Sequence, residues 1–285
     1  MRVGVLINLF RKDAVEAAHR AVSWLLARNA KIVSDREGAQ ALDISSATPD
    51  ELANVDLMVT FGGDGTLIRA AHICAAKGIP ILGIHYGRFG FVTQCLPDQV
   101  EDALQLIMDG KATVEKRMMV QTELIRAHQV VATLHSLNET VLQRSATTRM
   151  LTFEVKVDGH LISRYPADGV MVATPTGSTA YNLSAGGPVV DPAMDALLLT
   201  AIMPHTLSAR PILLRPSSVI DLTVEARGEA VLSCDGQSRL HLMSGDRVRV
   251  SRSPRTTDLV KLEEAEFFRK LSERLNWSQG PKHDA

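Results

Sequence analysis

Apolar runs alternate with amphipathic stretches in the first part of the chain. The apolar residues of 14–28 recur at helical spacing and follow an apolar run at 3–7. Asp13 and Asp98, each followed by a glutamate three residues later, are predicted to cap helices. The patterns predict strands at 3–7, 31–33, 55–59 and 81–84, and helices at 14–28, 49–53, 67–77 and 98–109. This alternation predicts an α/β domain with a mostly parallel sheet.

From about residue 111, strand-like runs follow one another directly, which predicts a β-rich second domain. Asp158-Gly159 suits a type I′ hairpin turn. A helix at 192–202, with Asp191 as its cap, and a final helix at 264–275 are the predicted exceptions. The predicted strands are 118–127, 129–137, 139–143, 151–157, 161–164, 169–173, 219–224, 230–234 and 247–251. The predicted organisation is an α/β domain at 1–115, a β-rich domain at 116–260, and a terminal helix and tail at 261–285.

Composition narrows the classes of function. The 285 residues carry a formal net charge of −1 and only 4% aromatic residues, which argues against a nucleic-acid surface. No apolar run approaches 18 residues, so no membrane span is expected. The three cysteines (Cys74, Cys95 and Cys234) form no C-x-x-C pair, and reduced, buried thiols are expected. These features predict a cytoplasmic protein.

The most distinctive short motif is the loop Gly62-Gly63-Asp64-Gly65-Thr66, between a predicted strand and a predicted helix. Glycines let a ligand approach the main chain, and a helix N-terminus attracts phosphate. The carboxylate of Asp64 would repel phosphate, so it is better explained as a metal ligand or as a base. The alternative without a ligand is a tight turn capped by Asp64.

A second candidate lies at 174–188, where small hydroxyl residues and glycines surround Tyr181. Such a segment offers N–H groups, hydroxyls and an aromatic face to a nucleotide, although a serine-rich loop with helix caps would look similar. Asn138-Glu139 could grip two sugar hydroxyls. Asp235-Gly236-Gln237 predicts a turn, and His205 is expected to fix a loop. P-loop, G-x-G-x-x-G, G-x-S-x-G and zinc-spacing patterns are absent from the sequence.

Taken together, these motifs resemble the NAD kinase family, whose members phosphorylate NAD to NADP. The glycine loop alone is shared with lipid kinases, whereas the segment TPTGSTAY followed by SAGGP is much more specific. The matching stretches are 62–66, 83–91, 117–119, 137–139, 168–169, 174–181, 184–188, 204–211 and 235–237. The resemblance implies an NAD kinase/diacylglycerol kinase-like fold, with the terminal helix packed on the first domain.

The same resemblance implies a reaction and a set of residues. A phosphoryl group would pass from ATP, or another donor, to the 2′-hydroxyl of the adenosine ribose of NAD, with Mg²⁺ or another divalent cation as cofactor. Asp64 would be the general base. The donor phosphates would lie on Gly62, Gly63, Gly65 and Thr66. NAD would contact Asp64, Gly65, Arg69, Asn138, Glu139, Arg149, Asp168, Thr179, Ala180, Tyr181, Asn182, Leu183, Ser184 and Gln237. A homodimer or homotetramer is implied, and no metal ligand is assigned.

Two positions depart from the family pattern. The family's glycine loop usually reads Gly-Ile-Asn here, whereas this chain has Gly83-Ile84-His85. An arginine is common two residues before the aspartate at 168, where this chain has Pro166, and Arg164 is a candidate replacement. Two rival functions stay open: a lipid or sphingoid kinase, which needs an apolar groove, and a catalytically silent nucleotide-binding regulator.

Overall fold

The computed structural model describes residues 1–86, 90–93, 95–145, 150–224, 229–262 and 266–274. They form two compact units, Met1–Lys116 with Thr257–Ala285, and Arg117–Thr256. Within the described residues, every helix is too short or too polar to cross a membrane.

The helices and strands are numbered along the chain. The strands are β1 (Arg2–Ile7), β2 (Lys31–Ser34), β3 (Ser45–Ser46), β4 (Leu57–Gly62), β5 (Ile81–His85), β6 (Thr113–Arg126), β7 (Gln129–Ser136), β8 (Glu139–Arg144), β9 (Leu151–Val157), β10 (His160–Ala167), β11 (Gly169–Ala173), β12 (Leu197–Ile202), β13 (Ile212–Leu214), β14 (Ile220–Val224), β15 (Ala230–Cys234), β16 (Ser238–His241) and β17 (Arg247–Lys261). The α-helices are α1 (Lys12–Leu26), α2 (Arg36–Leu42), α3 (Pro49–Leu52), α4 (Asp64–Cys74), α5 (Val100–Met108), α6 (Tyr181–Ser184) and α7 (Glu266–Arg274), and a 3₁₀ helix covers Thr176–Thr179.

The first unit is built on a parallel sheet in the order β3-β2-β1-β4-β5, with the end of β17 beside β5. All six residues of β4 are buried, as expected for a parallel strand covered on both faces. Helix α1 buries Ala14, Ala18, Val22 and Leu25 at helical spacing against this sheet. The loop after β4 therefore leaves the carboxyl edge of a rigid sheet.

The second unit is an antiparallel sandwich. One sheet has the order β13-β12-β11-β8-β15-β16, and the other has the order β10-β9-β14-β17, with the β6–β7 hairpin in addition. Strand β9 alternates buried and partly exposed residues, so its apolar face joins the core between the sheets. Asp158 and Gly159 have φ values of 51° and 81°, which confirms the predicted hairpin turn.

The predicted fold class is confirmed, because an α/β unit with a parallel sheet precedes a β-rich unit. The helix predicted at 192–202 is wrong, since Leu197–Ile202 is the buried strand β12, paired with β11 and β13. Alanine and leucine favour helices, but burial between two strands overrides that preference. Helix α2 was not predicted.

The predicted helix caps also differ. Helix α1 starts at Lys12, so Asp13 lies inside its first turn, where it accepts hydrogen bonds from Arg11 and from the N–H of Ala14. Helix α5 starts at Val100, beyond Asp98, without a side-chain cap. Helix α4 begins three residues earlier than predicted, so that Asp64 is its first residue.

Candidate active site

In the first unit, the carboxylate of Asp64 is held by a short segment of backbone. Its Oδ2 accepts the N–H of Phe91 at 2.9 Å, and its Oδ1 accepts the N–H groups of Val92 and Thr93 at 3.3 and 3.2 Å. The hydroxyl of Thr93 adds a fourth donor at 3.3 Å from Oδ1. Asp64 is half-buried. The four donors hold the carboxylate in one orientation at the start of helix α4.

The glycines around Asp64 serve two different purposes. A Cβ added at Gly63 or Gly65 would meet nothing within 4 Å, so the space above both is open to a ligand. A Cβ at Gly62 would overlap the side chain of Thr66 and come within 3.1 Å of the Cβ of Asn8. Gly62 is therefore required by packing inside the protein, whereas Gly63 and Gly65 leave the main chain accessible.

His85 takes part in the same network. Its Nδ1 lies 3.0 Å from the Thr93 hydroxyl and accepts the N–H of Gly90 at 3.3 Å. Gly90 itself leaves no room for a Cβ beside the Asp64 carboxylate. The departure from the family's asparagine thus places a buried imidazole against the segment that holds Asp64.

Beside this loop lies a cleft of about 210 Å³. Arg69 lines it and pairs with Asp35 at 2.9 Å, with both side chains partly exposed. Phe10, whose ring is fully exposed, lies on another wall. The remaining lining residues are Ile7, Asn8, Leu9, Glu37, Gly65 and Thr66.

In the second unit, Asn138 ends the turn from β7 to β8, and Glu139 is the first residue of β8. Asp235 holds this turn, since its carboxylate accepts the N–H groups of Leu137, Asn138 and Glu139 at 2.7, 2.8 and 3.1 Å. The N–H of Asp235 in turn donates to the carbonyl of Glu139 at 3.0 Å. The sequence predicted only a turn at 235–237. The contact joins residues almost 100 positions apart, which no local pattern reveals.

The carboxyl group of Glu139 is in an unusual electrostatic environment. Burial, with the nearby charge of Asp235, raises the pKa of Glu139 to about 8, although the N–H of Tyr181 donates to it and opposes the shift. Glu139 is only 8% exposed. Near neutral pH this environment therefore favours a protonated Glu139, and any ligand that donates hydrogen bonds to it favours ionisation.

Several buried polar atoms near this turn have no hydrogen-bond partner among the described residues. They are Oδ1 of Asn138, Oε2 of Glu139 and Oγ1 of Thr176. An unpaired buried polar atom costs about 1–3 kcal/mol. A bound ligand or an ordered water can supply the partners that these three atoms lack.

The predicted nucleotide segment packs directly on the Asn138 turn. The hydroxyl of Thr174 donates to the carbonyl of Leu137 at 2.5 Å and accepts the N–H of Gly177 at 3.1 Å. A Cβ at Gly177 would overlap the backbone of Asn138. The two candidate motifs of the second unit therefore form one structure.

Asn182 holds this segment together from within. Its side chain is fully buried, donates to the carbonyls of Ser178 and Pro188, and accepts the Thr200 hydroxyl at 2.7 Å. A Cβ at Gly187 would overlap this amide. The side chain predicted to line the nucleotide is thus fully occupied inside the protein.

Asp168, at the start of β11, pairs with an arginine that the sequence did not indicate. Arg144 on β8 donates its Nε to Asp168 at 2.7 Å, and its backbone N–H bonds the Asp168 carbonyl at 2.9 Å. Arg164, the predicted replacement, pairs with Glu154 at 2.7 Å. The arginine that contacts Asp168 in this chain therefore comes from the neighbouring strand β8.

The remaining predicted residues differ in exposure. Thr179, Ala180 and Leu183 are half-buried, whereas Tyr181, Ser184 and Gln237 are exposed. Arg149 lies outside the described residues. His205 is exposed, and its N–H bonds the carbonyl of Pro166 at 2.8 Å. Cys74, Cys95 and Cys234 are buried free thiols, as expected.

Metal-ligating side chains do not cluster in the described ranges, where no group of three or more His, Cys, Asp or Glu residues could hold an ion.

Comparison with known proteins assigns the family. Residues 3–112 match the ATP-NAD kinase N-terminal domain, and residues 137–262 match the ATP-NAD kinase C-terminal domain. The NAD kinase of Desulforamulus reducens is 36% identical over 283 residues, 98% of each chain. The NAD kinase of Symbiobacterium thermophilum is 39% identical over 279 residues, 96% of this chain and 99% of that one.

Solved structures agree with this assignment. Yeast NADH kinase complexed with NADH superimposes with a TM-score of 0.94 at 25% identity, covering 100% of this chain and 90% of the yeast chain. An NAD kinase from Archaeoglobus fulgidus in complex with ATP gives a TM-score of 0.78 at 27% identity, covering 98% and 100%. The chain therefore belongs to the NAD kinase family.

Proposed function

We propose that this NAD kinase transfers the terminal phosphoryl group of ATP, or of another phosphoryl donor, to the 2′-hydroxyl of the adenosine ribose of NAD, giving NADP. The observation that carries the proposal is the pair of unpartnered buried oxygens on Asn138 and Glu139. Two vicinal ribose hydroxyls supply the donors that these acceptors lack. The relatives complexed with NADH and with ATP support the choice of the two substrates.

The further NAD contacts in this proposal follow the family resemblance, residue by residue. In the second unit, the half-buried face of 179–184 would line the nucleotide, Asp168 would meet the nicotinamide side, and Gln237 would close the site. Asn182 would act through its backbone and through the shape that its buried amide gives the segment. Gly65, Arg69 and Arg149 would add contacts.

Asp64 would be the general base. Its Oδ2 accepts one N–H, from Phe91, and so keeps acceptor capacity for a substrate hydroxyl. The 2′-hydroxyl would give its proton to Asp64 while its oxygen attacks the terminal phosphorus, and the bond to the bridging oxygen of the leaving ADP would break. General-base help is typically worth about 10²–10⁴ in rate.

The donor phosphates would lie over Gly63 and Gly65, where the main chain is open, at the N-terminus of helix α4. Gly62 and Thr66 would support this loop. A Mg²⁺ ion suits the site when it arrives with the donor, because Mg²⁺ commonly binds one or two carboxylates plus substrate phosphates. When bound, it would neutralise charge on the transferred phosphoryl group.

The proposal includes a cytoplasmic, homodimeric or homotetrameric protein. Three buried thiols are compatible with a reducing compartment. Size-exclusion chromatography with light scattering measures the assembly directly.

A lipid or sphingoid kinase is the rival enzyme. It would need an apolar groove, and the polar segment at 174–188 is a poor lining for one. A silent nucleotide-binding regulator is the rival without catalysis, and the presence of Asp64 with its open glycines argues against it.

The test is a direct assay of products. The protein is incubated with ATP and Mg²⁺ together with NAD, NADH or diacylglycerol, and the products are separated by chromatography. We expect NADP from NAD and no phosphorylated lipid. Phosphorylated lipid alone would favour the first rival. NAD binding without any product, across several donors and metals, would favour the second.

A further inference from the structure

Helix α7 carries a buried lysine that the proposed reaction does not use. Lys270 is only 1% exposed, although a lysine is rarely buried without a partner. Its Nζ donates to the backbone carbonyl of Thr93. A buried amine cannot replace this hydrogen bond with one to bulk water, so the contact ties helix α7 to the backbone at Thr93.

One helical turn further on, Arg274 contacts the same segment. Its guanidinium lies 4.7 Å from the centre of the Phe91 ring, within the range of a cation–π contact. Residues four apart share one face of a helix, so Lys270 and Arg274 hold two points of the segment 91–93 from the same side.

The segment 91–93 is also the one that holds Asp64. Phe91 and Thr93, the residues contacted by helix α7, donate their N–H groups to the Asp64 carboxylate at 2.9 and 3.2 Å. The terminal helix and the carboxylate are therefore connected through three residues of backbone.

We propose that helix α7 is a positioning element for Asp64, with Lys270 and Arg274 as positioning residues that act through the segment 91–93. The inference rests on the proposed role of Asp64 in the reaction. Without these two contacts, the N–H groups at 91–93 no longer converge on the carboxylate, and Asp64 loses the orientation that transfer requires.

The expected kinetic effect is on turnover. Displacing a reacting group by about 1 Å can cost about 100-fold in rate. We expect kcat to fall by about 10- to 100-fold in Lys270→Met and by about tenfold in Arg274→Ala. KM for NAD should change less than about threefold, since the Asn138 turn belongs to the other unit. Lys270→Arg, which keeps a side-chain N–H donor at this position, should retain more activity than Lys270→Met.

The experiment combines kinetics with hydrogen–deuterium exchange of the amides at 91–93. Arg269→Met is the matched control, because it removes one positive charge from the same helix at an exposed position that pairs with Glu273. Faster exchange at 91–93 together with reduced kcat in Lys270→Met and Arg274→Ala, and neither change in the control, would support the proposal. Arg274 is exposed, so Arg274→Ala is expected to fold, and it provides the test if Lys270→Met does not fold.

Unchanged exchange at 91–93 in both variants would overturn the proposed connection, whatever the activity. Faster exchange with wild-type kcat would show that turnover does not depend on this positioning, and would also overturn it. A wild-type protein that makes no NADP would instead refute the proposed function, while the exchange measurements would still report on the connection between α7 and the segment.

Discussion

The raised pKa of Glu139 makes folding depend on pH in a direction opposite to that of most carboxylates. Burial and the charge of Asp235 raise its pKa from 4.5 to about 8 in the folded protein. The folded state then binds one more proton than the unfolded state between these two values. The stabilisation that comes from the protonated group is present below pH 4.5 and is lost as the pH rises towards 8.

The magnitude follows from the two pKa values. One pKa unit corresponds to about 1.4 kcal/mol, so titration of Glu139 alone should lower the free energy of unfolding by about 3 kcal/mol between pH 5 and pH 8. Glu139→Gln keeps the shape and removes the titration. The difference in unfolding free energy between wild type and this variant should therefore shift by that amount in favour of the variant.

Urea unfolding of the ligand-free protein at several pH values measures this difference. Glu101→Gln, at an exposed carboxylate, is the control and should follow the wild-type pH dependence. Parallel curves for wild type and Glu139→Gln across the whole range would refute the argument. The same reasoning predicts that NAD binding below pH 8 releases a proton, measurable by calorimetry in two buffers of different ionisation enthalpy.

Four further substitutions test separate parts of the account. Gly65→Ala should fold normally, because its Cβ meets open space, and should have a higher KM for ATP. Gly62→Ala should have a lower melting temperature, because its Cβ overlaps the Thr66 side chain. Equal stability of these two variants would contradict the conclusion that Gly62 is required by packing while Gly65 faces open space. Asp235→Asn should weaken three hydrogen bonds to the Asn138 turn. The variant should be less stable by about 1–3 kcal/mol in urea unfolding and should have a higher KM for NAD. An unchanged KM would argue against ribose binding by this turn. Asn182→Ala should cost about 2–4 kcal/mol by removing a fully bonded buried amide, and a surface-like effect below about 0.5 kcal/mol would be inconsistent with that role.

Local patterns predicted much of the fold. Strand β11 lies at the predicted 169–173, and the hairpin at Asp158-Gly159 was identified because type I′ turns require residues that tolerate positive φ. The helix predicted over Leu197–Ile202 was wrong because the composition of this stretch suits a helix, while its strand conformation depends on pairing with β11 and β13. Those neighbours come from distant parts of the sequence.

In the candidate site, too, local sequence patterns predicted some residues and missed those that depend on distant contacts. Asp64 and the pair Asn138-Glu139 were identified because glycines and polar pairs at strand ends are local signals. The groups that hold these residues were not identified. Asp235 contacts the Asn138 turn from almost 100 residues further along the chain, and Lys270 contacts Thr93 from 177 residues further along. Sequence patterns therefore indicated the candidate residues, and the structure was needed to find what positions them.

The central claim is that Asp64 takes the proton from the ribose hydroxyl of NAD. The most direct test is Asp64→Asn, with kcat from NADP formation and the dissociation constant of NAD measured on the same preparation. The account predicts a fall in kcat of about 10²–10⁴ with NAD binding nearly unchanged. A variant that keeps the wild-type kcat would contradict it.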